Sequence, residues 1–170
     1  METFDKDLSF GQDLVVSLPS LTPKGRIYRG ILAELFRLRA SMIESAEHVT
    51  ATVGLTSARW QILGAAEEQP ATVAQIARNL GLTRQSVQET ADAMARDGLV
   101  SFLANPDHKR ARLMTPTDKA RKALAYLRPR QVQFANLMGA PHSLDQLQAT
   151  LTVLQQSRAT IEANRKGAVE

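Results

Sequence analysis

Two amphipathic segments meet at Gly81-Leu82-Thr83 within Val73–Val100, "VAQIARNLGLTRQSVQETADAMARDGLV". This junction constrains the fold more than any other stretch of the 170 residues. Val73, Ile76, Ala77 and Leu80 fall on one helical face, and Thr72 stands where an N-cap is needed. Gly81 ends that segment, and Thr83 caps a second helix burying Val87, Ala91 and Met94 until Asp97-Gly98. A close-packed helix-turn-helix needs a small residue late in its first helix, a turn residue that tolerates positive φ, and an aliphatic one turn into the second helix. Ala77, Gly81 and Val87 supply all three. A helical pair packed with no ligand satisfies the same pattern, so the surroundings must decide between the two.

After Gly98 the period changes. Leu99–Leu103 and Arg110–Met114 read as short strands around the turn residues Asn105-Pro106-Asp107. A strand, a basic turn and a return strand directly after the second helix have the layout of a wing. Upstream, a helix is expected from Thr22-Pro23 to about Val49, with Tyr28, Ile31, Leu35, Leu38 and Met42 at spacings of three and four. Thr56 caps the next, which carries Trp60 and Leu63 and ends at Gln69-Pro70. Downstream, Thr117-Asp118 opens a helix toward Leu127 that Pro129 is expected to kink or interrupt. Ser143 caps a last helix bearing Leu144, Leu147, Leu151, Leu154 and Ile161, close to a heptad seam.

"LTSARWQIL", the Val73–Val100 stretch and "NPDHKRARLMTPTDKARKAL" together resemble the MarR (multiple antibiotic resistance regulator) family. The resemblance runs from Thr22 to the C-terminus and is strongest over Leu55–Leu124. Leu55, Thr56 and Trp60 match its second helix, Gly98-Leu99-Val100 its exit from the recognition helix, and Asp107-His108-Lys109-Arg110 its wing. The chain departs after the wing: Pro116-Thr117 and Ala120 stand where the family shows Leu-Thr and then Gly. The resemblance implies a mostly α protein with a small β-wing, a winged helix-turn-helix with long N- and C-terminal dimerisation helices. Residues 1–21 form an arm of net charge −3, residues 22–54 a dimerisation helix, 55–116 the DNA-binding region and 117–170 the C-terminal dimerisation helices, all in one compact domain. It further implies a homodimeric transcription factor on double-stranded DNA, usually a repressor released by a small, often aromatic, ligand.

The residue chemistry agrees. A recognition helix enters the major groove N-terminus first, so its first two turns face base edges. Arg84 suits guanine bidentately, and Gln85 and Gln88 suit adenine. Thr83 and Ser86 suit phosphates or either base. Arg110 matches an arginine entering a narrow minor groove, with Lys109 and Arg112 as phosphate contacts. Asp107 is expected to orient the wing arginine. Glu89 and Asp92 would oppose phosphates, so they are expected to be solvated or paired with Arg96. Trp60, Met42, Arg59 and Arg39 are candidates for an effector site, an arginine holding a carboxylate and the indole stacking on a ring. Trp60 serves equally as a plain core anchor.

Composition narrows the alternatives. The formal charge of +4 and pI near 9.8 suit an anionic partner without proving one. With no cysteine, thiolate metal sites and thiol redox switching are excluded. No apolar run approaches the ~20 residues of a membrane span, and the N-terminus lacks a basic start and apolar core, so a cytoplasmic protein is expected. His48, His108 and His142 are scattered, and Glu44 with His48 makes a poor metal pair; no metal or cofactor is implied. No nucleophile motif or phosphate loop supports an enzyme. The remaining alternative is a winged-helix module for protein contact, without sequence-specific DNA binding.

Overall fold

The computed structural model describes residues 20–108 and 110–167, which leaves Lys109 and most of the amino-terminal arm outside the described residues. The order is α1 Pro23–Ala51, α2 Ser57–Glu68, α3 Val73–Leu80, α4 Arg84–Arg96, β1 Val100–Leu103, β2 Leu113–Pro116, α5 Asp118–Gly139 and α6 Leu144–Gly167. Two compact units divide between Glu44 and Ser45, within α1. No described helix is long and apolar enough to cross a membrane.

Hydroxyl caps start the helices where the sequence placed them. Thr56 accepts from Arg59 N at 3.2 Å, Thr83 from Ser86 N at 3.1 Å and Thr117 from Ala120 N at 3.4 Å. Thr72 and Gln75 close a full capping box, each side chain taking the other's backbone N–H. Ser143 and Gln146 repeat that reciprocal arrangement ahead of α6. Three helix ends also share one device, a Gly-Leu pair. At α3, Gly81 turns left-handed (φ 65°) and Leu82 N reaches back to Ala77 O at 2.9 Å. Leu55 N to Thr50 O (3.1 Å) and Leu99 N to Met94 O (2.8 Å) repeat it after Gly54 and Gly98. In each case the leucine tucks against the core.

That core belongs to the second unit. Ile62 and Leu63 of α2, Ile76 of α3, Val87 and Met94 of α4, Met114 of β2 and Leu127 of α5 are all essentially inaccessible. Each such side chain contributes about 1.5–3 kcal/mol by leaving water. Because the core draws on six consecutive elements, it fixes the angle of α4 against its neighbours.

β1 and β2 pair antiparallel, from Val100 opposite Pro116 to Leu103 opposite Leu113. The second strand therefore begins three residues later than its residues predict. Residues 110 and 111 are drawn into the turn instead: His108 Nδ1 accepts the N–H of Arg110 at 3.3 Å and of Ala111 at 3.2 Å, which removes both donors from the ladder. Ala71, just before α3, forms an isolated bridge to Met114 (Met114 N to Ala71 O, 2.9 Å) and ties the wing to the helices. At the unusual join after β2, Pro116 ends the ladder while Thr117 both caps α5 and donates its hydroxyl to Gly98 O at 2.8 Å.

The expected interruption at Pro129 does not occur; α5 runs through it to Gly139. Proline there deprives the Ala125 carbonyl of its helical donor, and Ala125 is exposed, which leaves that carbonyl open to solvent. Arg130 reinforces the same turn. Its guanidinium lies 3.9 Å from the Tyr126 ring centroid and donates to Tyr126 O at 3.0 Å and to its hydroxyl at 2.8 Å.

Candidate nucleic-acid interface

Helix α4 divides by face. Val87, Ala91 and Met94 are fully buried, whereas Arg84, Gln85, Ser86 and Gln88 are exposed. Gln85 and Ser86 point away from the buried stripe. Arg84, seven residues before Ala91 and on nearly the same stripe, is exposed at the first position of the helix. Thr83 is exposed too, with its hydroxyl oxygen already accepting the Ser86 N–H as the cap. Glu89 and Asp92 are exposed, the first of the two expected arrangements, and the second does not occur. Neither pairs with Arg96: Gln85 Nε2 donates to Glu89 Oε1 at 3.0 Å, and Gln88 Nε2 donates to Asp92 Oδ1 at 2.8 Å. The i,i+4 spacing that would serve a carboxylate and an arginine serves amides one turn earlier.

The wing tip is built by side chains that cap its backbone. Asn105 Oδ1 accepts from Asp107 N at 3.0 Å, and His108 Nδ1 holds residues 110 and 111 as described above. Asp107 forms no ion pair with Arg110 or Arg112, so the tip's shape rests on Asn105 and His108. The Asn105-Pro106 turn was legible as a turn; nothing in the sequence singled out the imidazole as its clasp. Arg112 donates to Phe102 O, with its guanidinium 5.7 Å from that ring's centroid. These contacts tie Arg112 to β1, and the residue remains exposed.

α4, the start of α3 and the wing enclose an open groove of about 340 Å³. Arg84, Gln88 and Asp92 line it from α4, and Phe102, Arg110 and Arg112 from the wing. Three arginines thus converge, and neither Arg84 nor Arg110 has an ion-pair partner among the described residues. With Asp92 the one carboxylate among the described lining residues, the groove keeps a net positive charge that suits an anion. Gln85 and Ser86 lie on the adjoining exposed surface of α4 rather than in the groove.

Behind this surface, Arg59 of α2 pairs with Asp97 at the end of α4, 2.7 Å apart. Lys119 Nζ donates to the Asp97 carbonyl at 2.9 Å, so α2 and α5 both grip the C-terminal end of α4. Trp60 is half-buried and packs against the core. Arg39 and Met42 lie in the first unit, both exposed. Glu47, unnoticed in the sequence, accepts from Ser57 Oγ at 2.6 Å and from Ser57 N at 3.0 Å. Those two hydrogen bonds hold its carboxyl below the usual carboxylate range and anchor the start of α2. Arg128 and Glu67, 2.9 Å apart, join α5 to the end of α2.

Comparison with known proteins agrees with this architecture. The MarR family model matches residues 53–111, from the turn after α1 to the wing turn just before β2. An uncharacterised protein of Mycobacterium tuberculosis is 34% identical over 135 residues, covering 79% of this chain and 94% of its own. Among solved structures, a MarR/EmrR family regulator from Acinetobacter sp. ADP1 superposes with a TM-score of 0.72 at 14% identity, covering 81% of this chain and 98% of that one. The M. tuberculosis transcriptional regulator MOSR in complex with DNA gives 0.62 at 20% identity, over 76% and 96%. Staphylococcus aureus MarR in complex with salicylate and kanamycin gives 0.65 at 18% identity, over 81% and 94%. At these identities the structures establish a shared fold.

Proposed function

The chain belongs to the MarR family and is a DNA-binding transcription regulator, and from that premise we propose that it is a homodimeric, ligand-released repressor of a near-palindromic operator. The observation that carries its DNA-reading surface is the groove of three arginines beside the exposed face of α4. Arg84 reads guanine, Gln85 and Gln88 read adenine, and Thr83 and Ser86 meet phosphate or base at the helix N-terminus. Arg110 enters the minor groove; Lys109 and Arg112 contact phosphates, and Asp107 orients the wing arginine once DNA is bound.

A second copy covers the apolar seams. Residues 144–164 of α6 include no buried position, and Leu144, Leu147, Leu151 and Ile161 are exposed along it. On α1, Leu35, Leu38 and Met42 are exposed likewise. Two recognition helices about 34 Å apart then meet successive turns of the major groove. The effector is a small, often aromatic, ligand; the S. aureus MarR structure is a complex with salicylate and kanamycin. Trp60 offers it a ring to stack on, and Arg59 a guanidinium that would leave Asp97 for the ligand's carboxylate.

Titration against DNA upstream of the chain's own gene, at two salt concentrations, tests the reading. Affinity is expected to fall steeply with salt, and small aromatic acids should release the complex. Arg84→Ala should cost about 1–3 kcal/mol and relax the preference at one base pair. A flat salt response would instead favour a winged-helix module for protein contact.

A further inference from the structure

The two carboxylates on the exposed face of α4 have no evident place on a DNA-binding surface, since each opposes phosphate. Asp92 lines the groove with Arg84, Arg110 and Arg112 yet forms no ion pair with any of them. It takes the Gln88 amide instead, at 2.8 Å, and Glu89 takes Gln85 in the same way at 3.0 Å. Both links run from a glutamine to a carboxylate one turn further along, so the two amides are oriented by one repeated device.

We propose that Asp92 and Glu89 are positioning residues that fix which way the Gln88 and Gln85 amides face, and thereby set the base these glutamines accept. The proposal rests on the DNA-reading role of α4. A free primary amide rotates between two nearly equivalent orientations. Beside a carboxylate they are not equivalent, because rotation by half a turn would bring Oε1 against a carboxylate oxygen, two acceptors with no hydrogen between them. Nε2 is therefore held toward Asp92 or Glu89 by one of its hydrogens. Its other hydrogen and Oε1 remain as an outward edge of one donor beside one acceptor, in a fixed order.

That edge matches adenine, whose N7 accepts and whose N6 donates in the major groove. Guanine presents two acceptors, N7 and O6, so the pinned Oε1 would face O6 without a proton. Fixing the order along the groove also favours A·T over the reversed T·A pair. The charge of the carboxylates also weakens attraction to phosphates on any sequence. Removing them should lower base discrimination while raising affinity for arbitrary DNA, whereas a purely structural surface pair would change neither base preference nor its direction.

The test is selection from a randomised duplex pool by the full chain, Asp92→Asn, Glu89→Gln, their double variant and Asp92→Glu, with competitor DNA titrated against each. The wild-type chain is expected to prefer adenine about tenfold or more at two positions per half-site. Asp92→Asn should cut one preference to about threefold or less and bind competitor DNA at least as tightly; Glu89→Gln should do the same at the other position. An amide at either position can turn to accept from or donate to its glutamine, whereas Asp92→Glu keeps a group that only accepts and should recover most of the discrimination. Unchanged preferences in both neutral variants would overturn the positioning role while leaving DNA reading by α4 intact. A wild-type chain that selects no sequence would remove the base-reading role itself and this inference with it.

Discussion

Helix α4 buries Val87, Ala91 and Met94 completely within 13 residues, whereas α6, 24 residues long, has no buried position among residues 144–164. Both are amphipathic in sequence. The apolar face of α4 is covered by α2, α3 and the sheet; the leucines of α6 are left open by its own chain. A helix of that length draws most of its stability from tertiary packing, so an uncovered seam calls for a partner. The winged module thus covers its own apolar face, whereas the long helices leave theirs open, which is what the proposed homodimer would cover.

Substitutions separate these two kinds of stability. Leu147→Glu with Leu151→Glu should have the largest effect. A two-fold interface counts each change twice, so roughly 6 kcal/mol of apolar burial is lost and sedimentation should report a monomer with the module still folded. A mass that is already monomeric in the wild-type chain would break the comparison. Met94→Ala acts on the other side: it should cost about 2–5 kcal/mol in chemical denaturation, irrespective of protein concentration. A much smaller loss would mean that the module, too, relies on its partner.

Gly81→Ala sharpens the contrast at a single turn. An added Cβ meets no atom within 4 Å, so the cost is that of holding a left-handed backbone, about 1 kcal/mol, and Gly81→Asn should cost less. The smallest effect concerns acid. Glu47 binds its proton less readily in the folded chain than in the unfolded one, so its contribution is present above the ordinary glutamate value near 4.3 and is lost as pH falls below it. Glu47→Gln should flatten that part of the stability profile, as measured by thermal melts between neutral pH and about 3.

Local chemistry carried most of the fold in the sequence. Thr56, Thr72, Thr83, Thr117 and Ser143 mark helix starts because a hydroxyl satisfies a backbone donor three residues on, wherever the helix later packs. Gly81 and Gly98 mark ends for an equally local reason. The second strand was misplaced because its start depends on the His108 imidazole bonding two backbone donors, and no pattern of apolar residues reports that. At Pro129 the local rule fails in the opposite direction: α5 continues through a residue that costs a helix a hydrogen bond and adds a steric clash, so the rest of α5 outweighs that cost.

The candidate site was legible as a set of residue types and not as an arrangement. Arg84, Gln88, Arg110 and Arg112 could be named from their positions around a turn and a wing. Their convergence on one groove depends on the core that seats the wing against α4. Arg59 and Asp97 lie far apart along the chain and meet only because α2 crosses the end of α4. The sequence alone determined the helices, their caps and turns, and the polar face of α4, because these follow from hydrogen bonds and periodicity within a few residues. Only the tertiary structure decided which arginines line one groove and that Arg59 meets Asp97, because packing brings together side chains that lie far apart along the chain.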